Sequence, residues 1–278
     1  MMGSMAAFTL NDTMTKTTGG EVPLFQLLFL RGLISISLLL VLWGRLGPMH
    51  LRLSRRDWKL VGIRSASEVG ASYFFVTALF NMPLANLSAI LQSLPLTVTL
   101  GAALFYREAV GWKRMSAILV GFMGVMLIVK PGTDGFNIWS VYALVAVVFV
   151  TVRDLSTRRL SRDVPSMTVT LAAVLSVTIF SGFAQLATPW ADVSNAHWTA
   201  IGAAAVFVLI GYYFSVQTMR TGDVSFIAPF RYTGLIWALI LGWFVFGDWP
   251  LPSTLVGAAI VAATGLFTLY RERKLSSR

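Results

Sequence analysis

Leu104-Phe105-Tyr106-Arg107-Glu108 recurs about 140 residues later as Phe244-Val245-Phe246-Gly247-Asp248. In the first copy a turn at Gly111 follows, then a segment holding Gly121 and Gly124. In the second a turn at Pro250 leads into a segment holding Gly257 and Gly265. Each copy is thus an acid that ends one apolar segment, a turn, and a segment with paired small residues. The displacement is half of the 278-residue chain. The sequence therefore reads as two copies of one unit, residues 1–130 and 137–271.

The segments around these copies are almost all apolar. Of the whole chain 56% is hydrophobic and 12% charged, where an ordinary soluble domain carries about 25% charged residues. The apolar residues fall in blocks of about 17–23, each long enough to cross a bilayer as a helix. Ten such spans are expected, near 1–17, 23–44, 60–80, 85–106, 112–130, 137–153, 166–187, 198–219, 224–246 and 252–270. Breaks such as Gly47-Pro48, Pro131-Gly132 and Gly222 punctuate them. Barrel strands are excluded, because the blocks are too long and too continuously apolar. The expected fold is an all-α integral membrane protein of ten transmembrane helices. The first span is short and polar (Thr9, Asn11, Asp12, Thr13, Thr15), which points to a start upstream or to a helix partly missing.

Charge orients the spans. The net charge is +10, from 22 Lys and Arg against 12 Asp and Glu. Most of the basic residues sit in one alternate set of connections and in the tail, while the other set holds only Lys16 and Lys130. That asymmetry places both termini in the cytoplasm, and it explains the positive excess without nucleic acid. Five spans per unit is an odd number, so the second unit is inverted relative to the first, an arrangement of many secondary transporters.

Enzymatic readings find no support. There is no cysteine, and the two histidines, His50 and His197, fall in opposite loops. Thiol chemistry, histidine metal sites and catalytic triads are therefore not expected. No phosphate loop for ATP hydrolysis is present. No cofactor is expected, and no basic n-region marks a signal peptide.

The chain resembles the drug/metabolite transporter superfamily, specifically the ten-helix EamA type. The carriers are Leu94-Pro95 followed by Glu108, the stretch Ala117-Ile118-Leu119-Val120-Gly121-Phe122-Met123-Gly124-Val125, and the matching Asp248 and Gly257–Gly265 elements. Two finer stretches, Phe8-Thr9-Leu10-Asn11-Asp12 with Lys16 and Ala228-Pro229-Phe230-Arg231-Tyr232, are similar to the branch of bacterial riboflavin importers and S-adenosylmethionine carriers. The resemblance implies alternating access at the bacterial inner membrane, with riboflavin uptake first. Transport of S-adenosylmethionine or an amino-acid-like metabolite, in either direction, comes second. A non-transporting accessory subunit is the reading from another class.

Ionisable groups inside a span cost about 2.5–3.5 kcal/mol on insertion scales, which makes each a functional candidate. Asp12, Arg31, Arg64, Glu68 and Arg231 are those groups. Similar depths pair Asp12 with Arg31 and Glu68 with Arg231, and Arg64 shares a helix face with Glu68 at i, i+4. The charges either line a cavity or fix helix register as buried pairs. Gln92, Tyr142, Tyr213, Gln217, Tyr232 and Trp237 are the further candidates for a substrate cavity, a set suited to a flat heteroaromatic ligand with a polar tail.

Overall fold

The computed structural model describes residues 1–42, 52–108, 110–130, 137–161, 163–221 and 228–276. The described elements are all helical: α1 Met2–Thr17, α2 Leu24–Val41, α3 Arg55–Asn81, α4 Leu84–Leu91, α5 Leu94–Tyr106, α6 Trp112–Val129, α7 Ile138–Arg158, α8 Ser166–Gln185, α9 Asn195–Thr221, a 3₁₀ turn Ala228–Tyr232, α10 Thr233–Phe246 and α11 Pro252–Ser276. Among the described residues, seven stretches are long and apolar enough to cross a membrane: α2, α4 with α5, and most or all of α6, α7, α8, α9 and α11. Large apolar side chains such as Leu119, Met123, Phe183, Leu186 and Phe244 stand on the outside, a surface that lipid covers. The breaks expected at Gly47-Pro48, Pro131-Gly132 and Gly222 lie outside the described residues.

Local chemistry sets the helix ends. The Ser54 hydroxyl accepts the Asp57 amide at 3.0 Å and starts α3, with the Asp57 carboxylate near the positive end of the helix dipole. The fourth expected span is split into α4 and α5. Pro95 has no N–H for the Leu91 carbonyl, so the helix breaks there; the Ser93 hydroxyl donates to the Ile90 carbonyl at 2.7 Å. The ninth span is interrupted likewise, its Pro229 lying in the 3₁₀ turn before α10.

The recurring stretch is one helix-ending device used twice. α5 ends at Arg107, in the left-handed region at φ 54°, and the Glu108 amide reaches back to the Ala102 carbonyl at 3.4 Å. α10 ends at Gly247, φ 69°, and the Asp248 amide reaches the Gly242 carbonyl at 3.1 Å. Both ends are left-handed caps, in which a residue at positive φ turns the following amide back onto the carbonyls of the last turns.

The main packing of helices 1–6 on helices 7–11 is matched between the halves. α3 lies on α7 and α9 on α1; α3 meets α8 and α9 meets α2; α5 lies on α7 and α10 on α1. α2 packs on α8, and α6 on α11. The match reaches single residues. Phe149 of α7 lies against Gly70 of α3, where a Cβ would come within 2.6 Å of its ring. Phe8 of α1 lies against Gly211 of α9, where a Cβ would come within 2.8 Å. Gly70 to Gly211 and Phe8 to Phe149 are the same displacement, 141 residues. Where α6 crosses α11, a Cβ on Gly257 would stand 2.5 Å from the Gly124 carbonyl oxygen. Close backbone approach of this kind holds helices together where lipid removes the hydrophobic drive between them. The main core, including Leu79, Leu87, Ile90, Ile118, Val125 and Val261, fills the space between α3, α4, α6 and α11.

Candidate functional site

A cavity of about 70 Å³ lies between α2, α3, α8 and α9. Its polar wall is Arg31 and Ser35 from α2, Arg64, Glu68 and Ser72 from α3, Thr170 and Thr178 from α8, and Tyr212 from α9.

The charges around it form a connected set. Glu68 Oε1 accepts from Arg153 Nη1 at 3.4 Å. Glu68 Oε2 lies 3.9 Å from Arg64 Nη2 and has no hydrogen-bond partner. Arg153 Nε donates to Asp154 at 2.9 Å, and Arg64 Nε donates to the Thr157 hydroxyl at 3.1 Å. On α2, Arg31 Nη1 reaches Asn11 Oδ1 at 3.4 Å and the Thr15 hydroxyl at 3.5 Å. The Asn11 amide donates in turn to Asp12 at 2.9 Å. Arg31, Arg64 and Arg153 thus face Asp12, Glu68 and Asp154, a formally neutral group. Neutrality and shared hydrogen bonds make such burial tolerable.

The expected pairings fare differently. The i, i+4 pair of Arg64 and Glu68 is present at 3.9 Å. Asp12 and Arg31 interact electrostatically, but Asn11 stands between them. Glu68 is not paired with Arg231: its partner is Arg153, and Arg231 sits in the 3₁₀ turn beside Tyr232. The reason is the length of α7. The helix was expected to stop near 153, with Arg153 in a cytoplasmic loop, yet it runs to Arg158. Paired with Glu68 and Asp154, Arg153 no longer demands water, so the helix carries on past it.

Of the other candidates, Gln92 faces Gly234 at the start of α10. Tyr142 packs on Phe74 and Trp139 beside the main core. Tyr213 is 44% exposed, pointing away from its cavity-lining neighbour Tyr212. Tyr232 is buried against Gly265, its hydroxyl without a hydrogen-bond partner. Trp237 is partly buried on α10, and the Gln217 side chain lies outside the described residues. Arg31 and Glu68 are therefore the expected site residues that share the cavity, with Asp12 behind Arg31. Arg153 was missed as a site residue. The signal existed: Phe8 precedes Asp12 by four residues as Phe149 precedes Arg153.

The comparisons with known proteins fit this geometry. The EamA-like transporter family profile matches residues 1–130 and again 137–270. A riboflavin transporter of Vibrio cholerae is 30% identical over 231 residues, covering 82% of this chain and 76% of its own. An S-adenosylmethionine uptake transporter of Rickettsia felis is 26% identical over 277 residues, 99% of this chain and 92% of its own. A pseudopaline exporter of Pseudomonas aeruginosa is 24% identical, covering 94% and 92%. A crystal structure shares the fold with a TM-score of 0.68 at 21% identity, covering 99% of this chain and 97% of that one. The chain belongs to the EamA-like transporter family, as a multi-pass membrane carrier of small metabolites and not an enzyme.

Proposed function

We propose that the chain takes up riboflavin across the bacterial inner membrane by alternating access of two inverted five-span repeats, residues 1–130 and 137–271, with both termini in the cytoplasm. One observation carries the mechanism. The main contacts of α3 and α5 with the second half, on α7 and α8, have their counterparts in those of α9 and α10 with α1 and α2. Two halves so related open either face by exchanging their contacts about the fixed site between them. Riboflavin rests on the 30% identical Vibrio cholerae transporter. The cavity is far below the roughly 300 Å³ at which ligand pockets begin, so the structure fits a closed stage of the cycle. A charged, hydroxyl-lined cavity also argues against a purely scaffolding subunit, which has no use for one.

The wall chemistry favours a second substrate. Arg31 and Glu68, whose Oε2 makes no hydrogen bond, line one cavity, an arrangement suited to the carboxylate and ammonium of an amino-acid head group. The S-adenosylmethionine relative fits that reading. Uptake of labelled riboflavin by a riboflavin auxotroph expressing the chain decides between them. Saturable uptake that excess S-adenosylmethionine does not reduce supports riboflavin. No uptake despite surface expression overturns riboflavin and leaves the amino-acid-bearing metabolite to be tested by the same assay.

A further inference from the structure

We propose that Arg153 is a positioning residue of the transport cycle: its ion pair with Glu68 latches the cytoplasmic end of α7 to the first half until a cationic group reaches Glu68 from the cavity. The proposal rests on the carrier reading above. One carboxylate serves two places. Oε1 is held by Arg153 across the interface between halves, while Oε2 makes no hydrogen bond and the Glu68 side chain lines the cavity. Positive charge arriving at Glu68 from the cavity competes directly with Arg153 for it. Arg153 is not stranded when it lets go, because Asp154 on the same helix keeps its Nε at 2.9 Å.

Beyond Arg153, α7 and the loop after it are tied to the first half all the way down. The Tyr106 hydroxyl donates to the Leu155 carbonyl at 2.7 Å, Arg158 reaches Glu108 at 3.3 Å, and Ser161 donates to Asp57 at 3.1 Å. Glu68–Arg153 is the innermost of these ties and touches the group facing the cavity. Among the described residues, the related interface between α9 and α1 has no equivalent. At the displacement of 141 residues, Glu68 corresponds to Leu209 and Arg153 to Asp12, which cannot form an ion pair. Among the described residues, two packing interfaces of one design are therefore bolted by a partly buried ion pair on one side only. The other charged or titratable groups around Glu68 are Arg64 on its own helix, Arg31 on α2 backed by Asp12 on α1, and Tyr212 on α9. α8 offers only the hydroxyls of Thr170 and Thr178 to the cavity.

The chain has no cysteine, so a single Ser72→Cys reports on the cavity without background. In inside-out membrane vesicles, labelling by a membrane-impermeant methanethiosulfonate is timed in this parent and in Glu68→Gln, Arg153→Gln and the exchange Glu68→Arg/Arg153→Glu. The latch predicts labelling about tenfold faster in each glutamine variant, a coupling of ordinary size, and a return toward the parental rate in the exchange. Folded glutamine variants that label at the parental rate overturn it, as does an exchange that labels as fast as they do. Should the glutamine variants not fold, Arg153→Lys decides: a several-fold rise supports the latch and the parental rate overturns it. Labelling at one rate in every variant rejects the latch alone. A cysteine shielded from both faces in every variant also rejects the carrier reading.

Discussion

Asp57 shows how a single residue joins the two halves where no lipid reaches. Its carboxylate takes the Ser54 hydroxyl on its own helix and the Ser161 amide and hydroxyl from the loop after α7. The Ser54 hydroxyl first, then the Ser161 amide, holds it below the usual carboxylate value of 3.8. A depressed carboxylate contributes stability above its ordinary value, and the contribution is lost as pH falls through the depressed one. The loss of melting temperature in Asp57→Asn relative to the native chain should therefore be full at pH 7 and shrink below about pH 4. Thermal unfolding in detergent at stepped pH measures it, and a loss independent of pH would discard this role. Asp57 was not legible as a tie, since its partner Ser161 is 104 positions away. Glu68 and Arg31 were legible for the opposite reason: charge inside an apolar block stands out by itself. Arg153 was hidden, because a basic residue at the end of such a block looks like any cytoplasmic flank.

Helices were readable wherever an apolar block was continuous, and the ends of α6 and α8 came within a few residues. Two features depended on more than hydropathy. The break between α4 and α5 follows from Pro95, yet the apolar run conceals it. The repeated acid was readable as a pattern, whereas its cause, a shared left-handed cap, appears only in the backbone. That cap yields a paired prediction. Gly247 has φ 69° and open space where a Cβ would go, so Gly247→Ala acts through backbone strain alone. It should cost about 1 kcal/mol. Arg107 already bears the same strain at φ 54°, and Arg107→Gly should recover a similar amount at the equivalent cap, about 1 kcal/mol. Unfolding of the two variants in mixed micelles checks both signs. Destabilisation by both would mean that the Arg107 side chain, not the cap geometry, stabilises that end.

At the scale of the whole molecule, the two related interfaces and the basic connections constrain each other. The matched packing of α3 on α7 and α9 on α1 requires equivalent helices to run in opposite senses if each half has five spans. Five spans per half put the connection from 107 to 111 on the same side as both termini, and the connection from 186 to 194 on the other. The residues obey the same division. Arg107, Lys113, Arg158 and Arg159 crowd one end, whereas the segment 186–194 has no Lys or Arg and holds Asp192. Gln26 binds Ala191 there through both its amide donor and its acceptor, at 2.8 and 2.9 Å, so this end is ordered without basic residues. An alkaline phosphatase fusion after residue 192 should therefore be active, since the enzyme matures only outside the cytoplasm. Fusions after 108 and 276 should be inactive as phosphatase and fluorescent as cytoplasmic reporters. Inactivity at 192 as well as at 108 would put both connections on one side, with an even number of spans between them. The two halves would then share one sense, no in-plane two-fold axis could relate α3 on α7 to α9 on α1, and the carrier would need a different way to alternate.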